Sequence, residues 1–143
     1  DVQRGGMNAF LTAILSKFSG SAIENDVGGR IYLDRAESPD TPYLVYSIVS
    51  AVPDRTFSER YTNILMQFDL YSTRSAGSAV MTTMYSDLVA LFDECALAIT
   101  GYTLVWMKEE NLVTMVEDRS PLQDGSQLMN HWSVDFEVRI SKN

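Results

Sequence analysis

A single cysteine, Cys95, has no partner for an intrachain disulfide. The core must be held by packing, and 143 residues are enough for one domain. A chain of this size buries roughly 70% of its unfolded surface. Histidine is as scarce: His131 stands alone, and no Cys/His spacing supplies the three or four ligands of a zinc site. Basic residues are few and scattered, 11 against 19 acidic, for a net charge of −8. That excludes a protein that grips nucleic acid through its phosphates. It is compatible with a wall that DNA passes without sticking. No apolar run approaches the roughly eighteen residues of a membrane-spanning helix, and no membrane partner is expected. The N-terminus lacks a signal-peptide pattern, so folding in the cytosol is expected. Met7 reads as a natural start, with Asp1 to Gly6 a flexible or processing-derived extension.

Catalytic motifs are also missing. No serine sits in a G-x-S-x-G elbow. Gly28-Gly29 precedes a strand and lacks both phosphate-loop patterns. The acidic pairs Asp93-Glu94, Glu109-Glu110 and Glu117-Asp118 read as solvated turns or helix ends, because neighbours on a strand point to opposite faces. His131 reads as an ordinary polar residue at the start of the last strand, and Cys95 as a buried, inert thiol. The aromatics lie mostly on strands without a basic groove beside them, which favours core over a stacking platform. The chain is read as a non-enzyme without a cofactor or a metal.

What is present is a clear alternation of periods. Met7, Phe10, Leu11, Ile14, Leu15 and Phe18 mark one face of a helix that Gly20 stops. Gly28-Gly29 makes a turn into a short strand, Ile31 to Leu33. Asp34 to Thr41 is a loop, Pro42 opens a strand from Tyr43 to Val52, and Pro53-Asp54 ends it. Tyr61 to Tyr71 is a long strand with Ile64, Met66, Phe68 and Leu70 on one face. Ser75 is an expected N-cap for a second helix carrying Val80, Met84, Leu88, Leu91 and Cys95. Tyr102 to Met107 and Leu112 to Val116 are two strands, or one strand continued past a bulge. Trp132, Val134, Phe136, Val138 and Ile140 alternate with polar residues, which gives a strand with one dry face. The expected fold is α+β: a mixed, mostly antiparallel sheet with two helices packed on it.

The order of these landmarks resembles the tail-completion, or tail-terminator-like, proteins of long-tailed bacteriophages. In that family a helix leads to a Gly-Gly-Arg-Val-Tyr-like turn, a Pro-Tyr-Val-Val-Tyr-like strand, a long alternating strand, a helix and an Asp-Phe-x-Val strand. The matching stretches here are Gly28 to Tyr32, Pro42 to Tyr46, Ile64 to Tyr71 and Val134 to Val138. The similarity runs from about Met7 to Ile140. The stretch from Glu109 to Gln127 and the acidic surface depart from it. The resemblance implies a structural virion protein. It would form a homo-oligomeric ring, a hexamer, at the head-proximal end of the tail tube. The ring would stop tube growth, join the tube to the head connector in the neck, and let DNA pass without specific binding. Assembly would take place in the host cytoplasm. Alternatives are a head-side neck or joining protein, a small-ligand-binding α+β domain, and a small cofactor-free enzyme.

Two polar stretches are long for connections and are the expected contacts with neighbouring copies or the tube. In the first, Pro53 to Arg60, Phe57 is an apolar anchor between Arg55 and Arg60. In the second, Ser120 to Asn130, Asp124 and Gln127 are the expected contact residues, and a mobile loop is expected.

Overall fold

The computed structural model describes residues 2–37, 39–118 and 127–143. Helix α1 spans Val2–Phe18 and the short α2 spans Ala22–Asp26. Strands β1 (Ile31–Leu33), β2 (Tyr43–Arg55) and β3 (Arg60–Thr73) follow. After a 3-10 turn at Arg74–Ala76 come α3 (Ser78–Phe92), β4 (Ala98–Ile99), β5 (Tyr102–Asp118) and β6 (Leu128–Lys142). The six strands form one sheet in the order β1-β2-β3-β6-β5-β4. Only β1 and β2 run parallel; all other pairs are antiparallel. This is the expected mixed, mostly antiparallel sheet with helices packed on it.

Alternation decides the two faces. Ile64, Met66, Phe68 and Leu70 on β3 and Val134, Phe136, Val138 and Ile140 on β6 are all buried. They meet Phe10, Ile14 and Phe18 of α1, Ile23 of α2, and Met81, Met84, Leu88 and Phe92 of α3. At the centre Phe68 stacks on Phe92 with centroids 5.0 Å apart, while Phe18 and Phe136 meet the pair edge-on. Such offset and edge contacts suit the aromatic quadrupole and add to the burial energy.

Several boundaries differ from expectation. Helix α1 begins at Val2, well ahead of Met7, and Gly6 packs closely on the Tyr102 ring. Its dry stripe is Phe10, Ala13, Ile14 and Phe18, whereas Leu15 is exposed. Helix α2 has one buried residue in five, too little pattern to read in advance. Ser75 lies in the 3-10 turn, and Gly77, with φ of 87°, takes the N-cap position of α3. Val80 and Leu91 only flank the core, and Met81 and Phe92 face it instead. Strand β2 does not stop at Pro53 but runs on to Arg55, pairing Pro53 with Thr62 and Arg55 with Arg60. Beyond Tyr46 no β1 residue flanks β2, and proline is tolerated on such an edge. For residues 102–118 the structure selects the second of the two expected readings, one strand continued past a bulge, with irregularities at Leu104/Trp106 and Glu109/Asn111. Leu128 to Asn130, expected in a loop, already belong to β6.

Candidate functional site

The β2–β3 hairpin ends in a tight turn, Thr56 to Glu59. The Thr56 N–H donates to the Glu59 carbonyl at 2.9 Å, and the Glu59 N–H donates to Thr56 Oγ1 at 3.0 Å. The connection is therefore a built projection, shorter than the expected polar stretch from Pro53 to Arg60. Phe57 sits at its tip with a relative exposure of 110%. Arg55 and Arg60 face each other across the first rung of the ladder. Neither makes an ion pair among the described residues. Arg60 also lines a shallow recess with Ser58, Lys142 and Asn143. The tip thus presents one apolar ring with Arg55, Arg60 and the nearby Lys142 around it, alongside the carboxylate of Glu59. Behind it, Arg139 braces the hairpin. It pairs with Asp54 at 3.1 Å, donates to Asn63 at 3.0 Å and lies 4.0 Å over the Tyr61 ring.

Arg55, Phe57 and Arg60 are therefore brought together. Gln127 is exposed just before β6, at the opposite end of the sheet, since Met129 pairs with Thr73 at the far end of β3. Asp124 lies outside the described residues.

The outer face of the sheet carries a polar network. His131 Nε2 lies 2.8 Å from Asp69 Oδ1, and Nδ1 lies 2.7 Å from Glu117 Oε1. Gln67 donates to both Asp69 oxygens, at 3.1 and 3.0 Å. The imidazole stacks on Tyr71 at 4.2 Å, and Tyr71 stacks on Tyr43 at 4.6 Å. His131 is thus a strand clamp joining β3, β5 and β6, not an ordinary polar residue. Burial disfavours the charged ring, but the hydrogen bonds to Asp69 and Glu117, and their charges, outweigh it and raise the His131 pKa above its ordinary 6.5. Asp135 is also raised, first by burial and then by the charge of Asp69.

A histidine whose folded pKa is raised contributes stability that is complete below its unfolded pKa and lost as pH rises through the folded value. The melting temperature of the native chain should therefore exceed that of a His131→Gln variant by more at pH 6 than at pH 8.5. Scanning calorimetry at both values checks this. A loss of about 1 kcal/mol corresponds to roughly 4 °C in a domain of this size.

The clamp is poorly suited to general-base chemistry, because both ring nitrogens are taken by carboxylates. The carboxylates lie on opposite sides of the ring and do not converge on one point. Among the described residues no group of three or more His, Cys, Asp or Glu could hold a metal. Likewise, no helix among them is long and apolar enough to cross a membrane.

Asp93-Glu94 is exposed at the end of α3, as expected, whereas the other two acidic pairs lie within strand β5; at least one member of each pair is hydrogen-bonded. Asp93 accepts from the Glu109 N–H at 2.9 Å, Glu109 accepts from the Tyr85 hydroxyl, and Glu117 holds His131. Burial, that hydrogen bond and the charges of Glu109 and Asp93 push Tyr85 up to about 12. Cys95 is half-buried, with its Sγ 3.9 Å from Met107 Sδ, and burial pushes its thiol pKa up.

A further acidic pair was missed by sequence reading. Asp26, the last residue of α2, approaches Asp87 on α3. Burial first, then the hydrogen bond to Asp87 and its charge, raise Asp26 to about 6. Its Oδ2 is buried without a hydrogen-bond partner. Asp26 also lines an open cleft of about 310 Å³ with Ala79, Val80, Thr83 and Met84. Asp87 falls one helical turn beyond Thr83, and that spacing was the available signal. Without α2 in view, nothing pointed to Asp26.

A family model described as "Tail completion protein gp17" matches residues 12–141. The chain belongs to this family of tail-completion, or tail-terminator, proteins, which are structural proteins of the virion. Among solved structures, a chain from "Virion of native gene transfer agent (GTA) particle" is similar at TM-score 0.77 and 14% identity, covering 95% of this chain and 97% of that one. Another solved chain is similar at TM-score 0.57 and 13% identity, covering 92% and 94%. At these identities the two likenesses show the fold. No curated protein sequence matches.

Proposed function

We propose that this chain forms a closed homo-oligomeric ring, six-fold as the family resemblance implies, that caps the head-proximal end of a phage tail tube. The ring stops tube growth and offers its other side to the head connector. The observation that carries the reading is the hairpin tip: an exposed Phe57 between two arginines that make no ion pair among the described residues, on an acidic chain. An exposed aromatic flanked by arginines is the kind of anchor that interfaces use, and heterologous contacts between like copies can close a ring. The GTA chain of like fold is itself part of a virion. With net charge −8 per copy, an acidic lumen would let DNA slide through without adhering. The same charge makes copies repel at long range, so assembly is favoured by salt or by the finished tube as template.

The test is the solution mass of the purified chain at 0.15 and 0.5 M salt, with and without tail tubes, paired with negative-stain images. The expected result is a ring of uniform subunit number, free or seated on one tube end. A chain that stays at 16.0 kDa in every condition and leaves the tubes bare would overturn the reading. A ring that binds only the head connector would favour a head-side joining protein instead.

A further inference from the structure

We infer that the hairpin tip of one copy docks into the α2–α3 cleft of the next, with Phe57 on Val80 and Met84 and with Arg55 or Arg60 on the Asp26–Asp87 pair. This deepens the ring reading and rests on it.

The two surfaces complement each other in charge and in apolar character. At the tip Asp54 is taken by Arg139, while Arg55 and Arg60, beside Glu59, make no ion pair among the described residues; in the cleft Asp26 is part of the lining and adjoins Asp87. A guanidinium supplies paired N–H donors that match carboxylate oxygens. The rest of the cleft lining is Ala79, Val80, Thr83 and Met84, mostly apolar. At about 310 Å³ the cleft has room for an aromatic side chain. Aromatic and arginine anchors in such sockets carry most of the energy of interfaces.

Topology forbids a copy from filling its own cleft. Strand β3 starts at Arg60 by the tip and ends at Thr73, and α3 begins just beyond at Ser78. Thirteen steps of ~3.3 Å separate those ends by about 43 Å. The cleft lies on the first half of α3, so tip and socket sit at opposite ends of the subunit. A contact between two different patches repeats from copy to copy and closes when the rotation allows it.

Cross-linking tests this directly. In a Cys95→Ser background, Ser58→Cys and Thr83→Cys are combined in one chain, which leaves Phe57 and the carboxyls intact. A short bis-maleimide is then added to the assembled protein. The expected product is a ladder of covalent multiples of 16.0 kDa, absent when Thr83→Cys stands alone. A separate Thr83→Arg variant, which places a cation in the socket on an exposed helical face, should fold with an unchanged circular dichroism melt and remain monomeric. Rings that give no ladder, or Thr83→Arg rings of full mass, would overturn this docking while the ring reading stands. A native chain that never assembles would overturn both, and its solution mass tells the cases apart.

Discussion

Replacing Arg55, Phe57 and Arg60 together with Ser is expected to leave the fold intact and to abolish assembly. All three side chains are exposed, and none contributes to the core. The turn is held by backbone and by Thr56, so the hairpin should survive the loss of its tip groups. Surface changes of this kind usually move stability by less than about 0.5 kcal/mol. Interface anchors are worth about 2 kcal/mol or more each, and the loss is multiplied around a ring because every contact is the same. Calorimetry should therefore show an unchanged melt, while sedimentation shows only monomer and tail tubes go uncapped. Unchanged rings with unchanged tube binding would remove this hairpin from the interface and leave the ring to other surfaces.

Leu88→Ala is expected to destabilise the chain by about 2–5 kcal/mol, the range for buried leucines. Leu88 is fully buried against the sheet. Leu15→Ala should cost less than about 0.5 kcal/mol, because Leu15 is 54% exposed. Urea unfolding of both variants checks the contrast. Equal losses would mean that α1 packs on the sheet with a face other than Phe10, Ile14 and Phe18. A sequence pattern alone puts the two leucines on the same footing, since each falls on an apolar helical stripe.

That contrast shows where periodicity stops being informative. Helix α1 has apolar residues at 10, 11, 14, 15 and 18, a stripe wider than the surface it covers. Which edge of the stripe goes dry depends on how the helix lies on the sheet. The strands leave less freedom, because a one-residue slip would turn Val134, Phe136, Val138 and Ile140 into solvent. Hence the faces of β3 and β6 were legible from alternation, and the rotation of α1 and α3 was not. Phe57, Arg55 and Arg60 were legible as a group because they are close in sequence and lie in a polar stretch. Their ordering on a rigid tip was hidden by Pro53-Asp54, a turn signal that an open strand edge tolerates.

The sequence by itself determined the α+β class, the dry face of each long strand, the absence of familiar catalytic motifs and the family. Local periodicity and the order of motifs carry all of these, and both are one-dimensional properties. Only the tertiary structure decided that β6, last in the chain, lies between β3 and β5. That placement sets His131 between Asp69, 62 residues away, and Glu117, and so makes a clamp from three residues that look ordinary in sequence. It also fell to the tertiary structure to bring Asp26 beside Asp87 and to set that pair at the end of the molecule away from the tip. Contacts between residues far apart in the chain arise from how whole elements pack, and neither spacing nor composition records that packing.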